Sequence, residues 1–374
     1  MFVFQIPAQK RMPSTAGLVD VERAIGEIRA GRPVVVHDGA TRIVAVGVEA
    51  LDPELAAQLE WAAQGSARLV LTAPRLRRLG LDRHDAGFVA LPQIDIERIH
   101  TLALDAKARI DAPAAALPPI YSAGLELMRL SLVLPAAVVL AAPGVEALLP
   151  GLLSVASSNL RGYRAARAAS LRIVGRAPTP LEGAPNSEFV IFRGGEGLRD
   201  QVAIVVGKPA LDEPVTVRLH SACLTGDLFG SLKCDCGDQL RGSVRDMAAN
   251  GGGVLLYLDQ EGRGNGLSNK IRAYDLQAQG YDTYDADEVL GFSHDQRGFD
   301  FAADMLKQLG VSRVRVMTNN PVKIAALRDA GLEVVSDHRV LGRRNDHNLR
   351  YLASKRDRAG HFFEQDLIGA VEEQ

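Results

Sequence analysis

The stretch His220-Ser-Ala-Cys223-Leu-Thr-Gly-Asp-Leu-Phe-Gly-Ser-Leu-Lys-Cys234-Asp-Cys236-Gly237 contains all three cysteines of the 374-residue chain. An odd number within fourteen residues argues against a disulfide framework. Thiolates are soft ligands suited to zinc, and three protein ligands leave a fourth position for water, the pattern of catalytic rather than structural sites. Zinc lowers the pKa of such a water to about 7. Two plainer readings stand beside this one: buried small hydrophobes, or a structural site completed by His220. The polar residues and glycines around the cluster weigh against the first.

The segments flanking the cluster set the fold class. Val215–Leu219 reads as a strand entering it, and Asp238–Ala249 as a helix leaving it, ended by Gly251 and Gly252. Beyond lie a strand, Gly253–Leu258, and helices Leu267–Gln279 and Phe299–Leu309, ended by Gly280 and Gly310. A strand, Val314–Met317, precedes a helix, Pro321–Ala330, with proline at its first position and Gly331 past its end. The first half alternates likewise: helix Val21–Arg29, strand Pro33–Val36, helix Pro53–Gln64, strand Ala67–Leu71, short helix Arg75–Leu79. Ala112–Pro119 reads as a loop. The expected class is α/β (mixed α+β) in two domains, residues 1–174 and 175–374. The Pro/Gly-rich Arg176–Asn186 serves as linker or extended lead-in. In such a sheet the loops at strand ends carry the site.

Composition excludes some partners. With 47% hydrophobic residues there is ample material for buried cores, and a net charge of -2 gives no global bias toward nucleic acid or membrane. The longest apolar stretch, Leu130–Gly144, is too short to span a bilayer and is cut by Pro135 and Pro143. The opening MFVFQIPAQKRMPS lacks the apolar core of a signal peptide, so a cytoplasmic location is expected.

Further motifs follow the cluster in order: Gln260-Glu-Gly-Arg263, Thr318-Asn-Asn-Pro321 and a closing Gly342-Arg-Arg-Asn345. With Cys223-Leu-Thr-Gly-Asp and Cys234-Asp-Cys236-Gly, they make residues 175–374 resemble GTP cyclohydrolase II. The resemblance implies that GTP loses C8 as formate and its outer phosphates as pyrophosphate, giving the diaminopyrimidinone ribosylamine phosphate of early riboflavin synthesis. It implies one zinc per subunit, magnesium on the substrate phosphates, and a homodimer. Two alternatives remain: a related cyclohydrolase with altered product or pathway, and a non-catalytic nucleotide sensor that keeps the zinc fold.

Residue by residue, the resemblance makes Cys223, Cys234 and Cys236 the zinc ligands. Arg218, Leu219, His220, Ser221 and Ala222 match the segment that binds GTP. Gln239, Gly262, Arg263, Thr283, Thr318 and Lys323 match further nucleotide contacts, and Glu261 a guanine-reading carboxylate. Tyr274 matches a tyrosine near the metal-bound water. Asp295 and Arg297 match the proton acceptor and the nucleophile toward the α-phosphorus. Arg218, Arg297 and Lys323 are the charges that phosphates require. The glycines of Glu261–Gly266 allow close backbone approach before a helix N-terminus that favours anions. Plainer readings exist here also. Tyr274 falls with Leu267 and Ile271 on one helical row, as a core residue would. Asp295 and Arg297 also read as a solvated loop ion pair.

Four positions depart from the commonest family pattern: Ala222, Lys233, Asp259 and Asn265. Asp259 reverses a charge beside the binding loop, which either alters triphosphate affinity or pairs locally with an arginine. In the first half, Val21–Val36 resembles the opening of dihydroxybutanone-phosphate synthase. The acidic metal-binding loop of that family is reduced to Asp38 in His37-Asp-Gly-Ala-Thr-Arg-Ile-Val-Ala45, where several acids are needed for a hard cation. This domain is expected to lack synthase activity and to serve dimerisation, stability or regulation.

Overall fold

The computed structural model describes residues 15–141, 151–293, 295, 297–343, 345–349, 353 and 356–358. The opening residues 1–14, the end of the apolar stretch at 142–144, His294, Gln296 and Arg344 lie outside the described residues. The chain divides into two units, residues 1–166 and 167–374.

In the first unit, the β-branched run that predicts a strand at Pro33–Val36 forms β1 (Val34–Asp38). It folds back through Gly39 and Ala40 into β2 (Thr41–Gly47), which the sequence reading leaves unassigned. With β3 (Arg68–Leu71), β4 (Gly87–Ala90), β5 (Ala115–Ala116), β6 (Ala136–Ala141) and β7 (Ser154–Ala156) they form a seven-stranded sheet in the order β5-β4-β3-β6-β2-β1-β7. Every pairing is antiparallel except β1 with β7. Val34, Val36, Ile43, Ala45 and Val139 share one core with residues of helices Thr15–Arg29 and Pro119–Leu130. The segment that would carry the acidic loop is thus a tight hairpin. Its Asp38 accepts from Ser157 Oγ at 2.9 Å and lies 3.8 Å from Arg161.

The second unit contains β8 (Arg172–Pro178), β9 (Ser187–Arg193), β10 (Gln201–Val206), β11 (Val215–Ser221), β12 (Gly253–Leu258), β13 (Arg313–Met317) and β14 (Glu333–His338). Their order is β14-β13-β11-β12-β10-β9-β8. The first four of that order run parallel, and β10, β9 and β8 continue antiparallel. Arg176–Pro178 ends β8, and the rest of the expected linker turns into β9 through a Leu181–Ala184 bridge. Both faces of the central strands are covered by helices. Phe192, Val217 and Leu256 pack with Phe301 and Met305 of helix Asp300–Gln308. The alternate residues Ile204, Val206 and Leu255 pack with Val244 and Met247 of helix Cys236–Ala249.

From β11 the chain passes to β12 on one side and later to β13 on the other. The crevice at the C-terminal ends of such diverging parallel strands is where α/β sheets bind ligands.

Candidate active site

At the end of β11, Ala222 N donates to Leu258 O at 2.8 Å, and the chain turns into the short helix Leu224–Asp227. Cys223 precedes that helix and Cys236 opens the helix Cys236–Ala249. The sulfurs of Cys223, Cys234 and Cys236 all lie within 4.8 Å of one another, with Cys223 and Cys234 3.6 Å apart. Zinc–thiolate bonds of about 2.3 Å in a tetrahedron put two sulfurs roughly 3.8 Å apart, so the cluster fits a zinc ion. Gly226 makes the convergence possible: a Cβ there would sit 2.6 Å from Cys234 Sγ and 3.1 Å from Cys223 Sγ.

Such crowding sets the protonation of the sulfurs. Hydrogen bonds from Cys234 and Cys236, with the Lys270 ammonium, hold Cys223 far below the usual thiol range. The hydrogen bond to Cys223 in turn pushes Cys234 up to about 11, and the same contact raises Cys236 as well. Three simultaneous thiolates therefore require a cation among them.

His220 does not join this group among the described residues. Its Nε2 is 3.1 Å from both oxygens of Asp227, and its ring stacks on Tyr257. Burial holds His220 below its usual range. Asp227 also accepts from Cys223 N at 2.9 Å and from Tyr257 OH at 3.0 Å, tying the first cysteine to the sheet.

Every site residue named from the sequence lines one cavity of about 320 Å³. Arg218 is buried, and burial draws its pKa down to about 10; its Nη2 donates to Gln239 Oε1 at 2.7 Å. Lys323 donates to Leu219 O at 2.7 Å. Arg297 is bidentate to Asp295 at 2.8 and 2.6 Å and donates to Ser221 Oγ at 3.2 Å. Arg297 is only 12% exposed and forms part of the cavity wall, while Asp295, 37% exposed, keeps one side toward solvent. Against burial, the Arg297 hydrogen bonds keep the Asp295 carboxyl below its usual range. Tyr274 stands 3.5 Å from Thr225 Oγ1, and burial pushes its phenol up to about 12. Leu267 and Ile271, the rest of its helical row, are exposed, so the row is not a core face. Thr283 accepts from Gln277 Nε2 at 3.5 Å, and Thr318 Oγ1 accepts from Asn320 N at 3.0 Å.

The cavity also holds residues that sequence reasoning missed. Lys270 spans Cys223 Sγ at 3.0 Å and Glu261 Oε1 at 2.8 Å. Glu261 further accepts from Leu224 N at 2.6 Å and Gly262 N at 3.1 Å, so protein donors fill most of its acceptor positions. Asp287 lies 3.0 Å from Arg263, and burial raises its carboxyl to about 6. The available signal for both was periodicity: Lys270 precedes Tyr274 by one helical turn, and Asp287 follows Thr283 by one.

Two of the four departures have local accounts. Asp259 pairs with Arg199 at 2.8 Å. Lys233 lies over the Tyr274 ring, 4.8 Å from its centre, and donates to Tyr274 O. Asn265 is buried, but the bond it accepts from Asn269 Nδ2 at 2.9 Å is to its backbone oxygen, and nothing in the structure explains its side chain. Nothing in the structure explains Ala222.

Comparison with known proteins agrees with this geometry. The profile of the family GTP cyclohydrolase II matches residues 172–339. The chain is 41% identical over 352 residues to "GTP cyclohydrolase-2" of Xylella fastidiosa, strain Temecula1, covering 93% of this chain and 88% of that one. It is 50% identical over 164 residues to "Riboflavin biosynthesis protein RibBA" of Bacillus subtilis, covering 44% of this chain and 41% of that one. Among solved structures, the two-domain 3,4-dihydroxy-2-butanone 4-phosphate synthase RibBX of A. baumannii aligns at 18% identity and a TM-score of 0.33, over 86% of this chain and 99% of that one. A relative of such identity along nearly the whole length decides the matter: the chain belongs to the GTP cyclohydrolase II family.

Proposed function

We propose that this chain hydrolyses GTP to 2,5-diamino-6-(5-phospho-ribosylamino)pyrimidin-4(3H)-one, formate and pyrophosphate, the first step of riboflavin biosynthesis. The observation that carries the reading is the meeting of a three-thiol cluster with Arg218, Arg297 and Lys323 in one cavity. A ring-opening hydrolysis of a nucleoside triphosphate needs both ends of that cavity: a hydrolytic centre for the base and cations for the phosphates.

Cys223, Cys234 and Cys236 would hold zinc, which when bound supplies Lewis-acid activation of water at neutral pH. Tyr274, its phenol raised by burial, stays protonated and keeps a hydroxyl proton to offer beside the cluster. Glu261 and Lys270 set the polarity of that end. Asp295, kept ionised by Arg297, is the proton acceptor, and Arg297 acts at the α-phosphorus. The segment Arg218–Ala222 with Gln239, Glu261, Gly262, Arg263, Thr283, Thr318 and Lys323 holds the nucleotide, with magnesium on its phosphates.

The enzyme works in the cytoplasm as a homodimer, and the first unit is supportive rather than a synthase, consistent with the closed hairpin at Asp38. The test is incubation of the purified chain with GTP and Mg²⁺, with formate and pyrophosphate quantified beside elemental zinc. Equal yields of both products and one zinc per chain are expected. GTP binding without formate, or turnover by metal-free protein, refutes the reading.

A further inference from the structure

The loop Gly194-Gly195-Glu196-Gly197-Leu198-Arg199 joins β9 to β10. Asp259, just past β12, fastens it. Its Oδ2 accepts from Leu198 N and Arg199 N, both at 2.9 Å, and its Oδ1 from Arg199 Nε at 3.0 Å. Gln201 completes the clasp, accepting from Asp259 N at 2.8 Å and donating to Glu196 O. Gly197 has φ +79, and a Cβ there would meet Asp259 O at 2.4 Å, so a side chain would force the two segments apart.

Held this way, the loop delivers the Glu196 carboxylate behind the cavity wall. Its Oε2 accepts from Gln260 Nε2 at 2.9 Å and from Gly298 N at 3.0 Å. Gln260 is 2% exposed; its Nε2 also donates to Gly298 O at 2.6 Å, and its Oε1 accepts from Ser221 Oγ at 3.0 Å. That hydroxyl receives Arg297 Nη1 at 3.2 Å. Two routes thus run from Glu196 to Arg297, one through the adjoining Gly298 peptide and one through Gln260 and Ser221.

We propose that Glu196 is the positioning residue for Arg297. The inference rests on the reading that Arg297 acts at the α-phosphorus. Glu196 does not line the cavity, so it acts through its neighbours and not on substrate. A carboxylate suits the task because one oxygen accepts from two donors, which fixes the Gly298 peptide relative to Gln260.

Glu196→Gln keeps the shape but removes the charge that strengthens the bonds accepted from Gln260 Nε2 and Gly298 N. The expected result is a fall in kcat for pyrophosphate release of about tenfold, with KM for GTP within about twofold and zinc content unchanged. A wild-type kcat in this variant, or a KM for GTP that rises while kcat stays native, overturns the proposal. Arg297→Ala separates this failure from that of the underlying reading. If it retains pyrophosphate release, the role of Arg297 falls; if it loses release while Glu196→Gln does not, only the positioning role falls. Should Glu196→Gln not fold, Gly298→Ala probes the same contact, its methyl meeting Glu196 Oε1 at 2.8 Å. The same loss is then expected, and native kcat rejects the idea.

Discussion

Asp287→Asn should stabilise the second unit in a strictly pH-dependent way. Asp287 is 7% exposed, and burial raises its carboxyl from 3.8 to about 6 despite the attraction of Arg263. Between roughly pH 4 and pH 6 the folded chain holds a proton that the unfolded chain has released, so stability falls as pH rises through that window. At 1.36 kcal/mol per unit of pKa, the charged form costs about 3 kcal/mol at neutral pH. Asparagine removes the charge and still offers an oxygen to Arg263. The gain should therefore reach about 3 kcal/mol at pH 7 to 8 and vanish below about pH 4. For a unit of this size that is a rise of about 6 to 12 °C in the calorimetric transition. The single tryptophan, Trp61, lies in the first unit and reports separately on its unfolding by fluorescence. A gain equal at all pH values, or a loss at pH 7, would refute the argument that burial of the carboxylate dominates its electrostatics.

Three other perturbations test separate parts of the site. Cys234→Ser should release zinc, read by elemental analysis, and abolish formate production; full activity without metal rejects a catalytic ion. Lys270→Met takes the ammonium from the Glu261 carboxylate, which is only 6% exposed. Breaking a buried pair from one side costs about 3–5 kcal/mol, so denaturant unfolding should shift down, and Glu261→Gln added to it should recover much of the loss. An unshifted midpoint would mean that the pair is not buried in solution. Removing residues 1–166 should leave measurable GTP turnover if the first unit is only supportive; a folded but inactive fragment would assign that unit a direct part in catalysis.

Much of the second unit was legible because its elements carry local signals. β12 matches its expected span, Gly253–Leu258, because a short apolar run between the Gly251–Gly252 pair and the polar Asp259-Gln260 has the length of a buried strand and not of a helix. The helix at Pro321 was equally plain, with proline at its start and Gly331 beyond its end. The edge strands β8 and β14 were missed for the converse reason. Their residues are almost all exposed, so no alternation of polar and apolar residues marks them. The cysteines and the residues of the ordered motifs could be named because each motif is contiguous. Lys270 lies outside those motifs and its importance rests on Cys223, 47 positions away; Asp227 lies inside one, but its bond to Tyr257, 30 positions on, is made only by the fold.

Asp259 carries this reasoning furthest. In the sequence it is a charge reversal beside a phosphate-binding loop, and two opposite readings are equally open. The structure favours the local one, because most of its hydrogen bonds come from backbone. Two of its three donors are the N–H groups of Leu198 and Arg199, about sixty positions away, which no side-chain pattern can announce. An arginine at 259 could not accept those bonds, so the glycine loop would lose its clasp and Glu196 its fixed approach to Gln260. The charge at 259 and the glycines at 194–197 are therefore one structural decision. Asp259→Arg should disturb the loop before it disturbs the phosphates. Faster amide exchange at Leu198 and Arg199, with GTP affinity unchanged, is the expected result; tighter GTP binding with the two amides still protected would return Asp259 to the role of an electrostatic brake on the triphosphate.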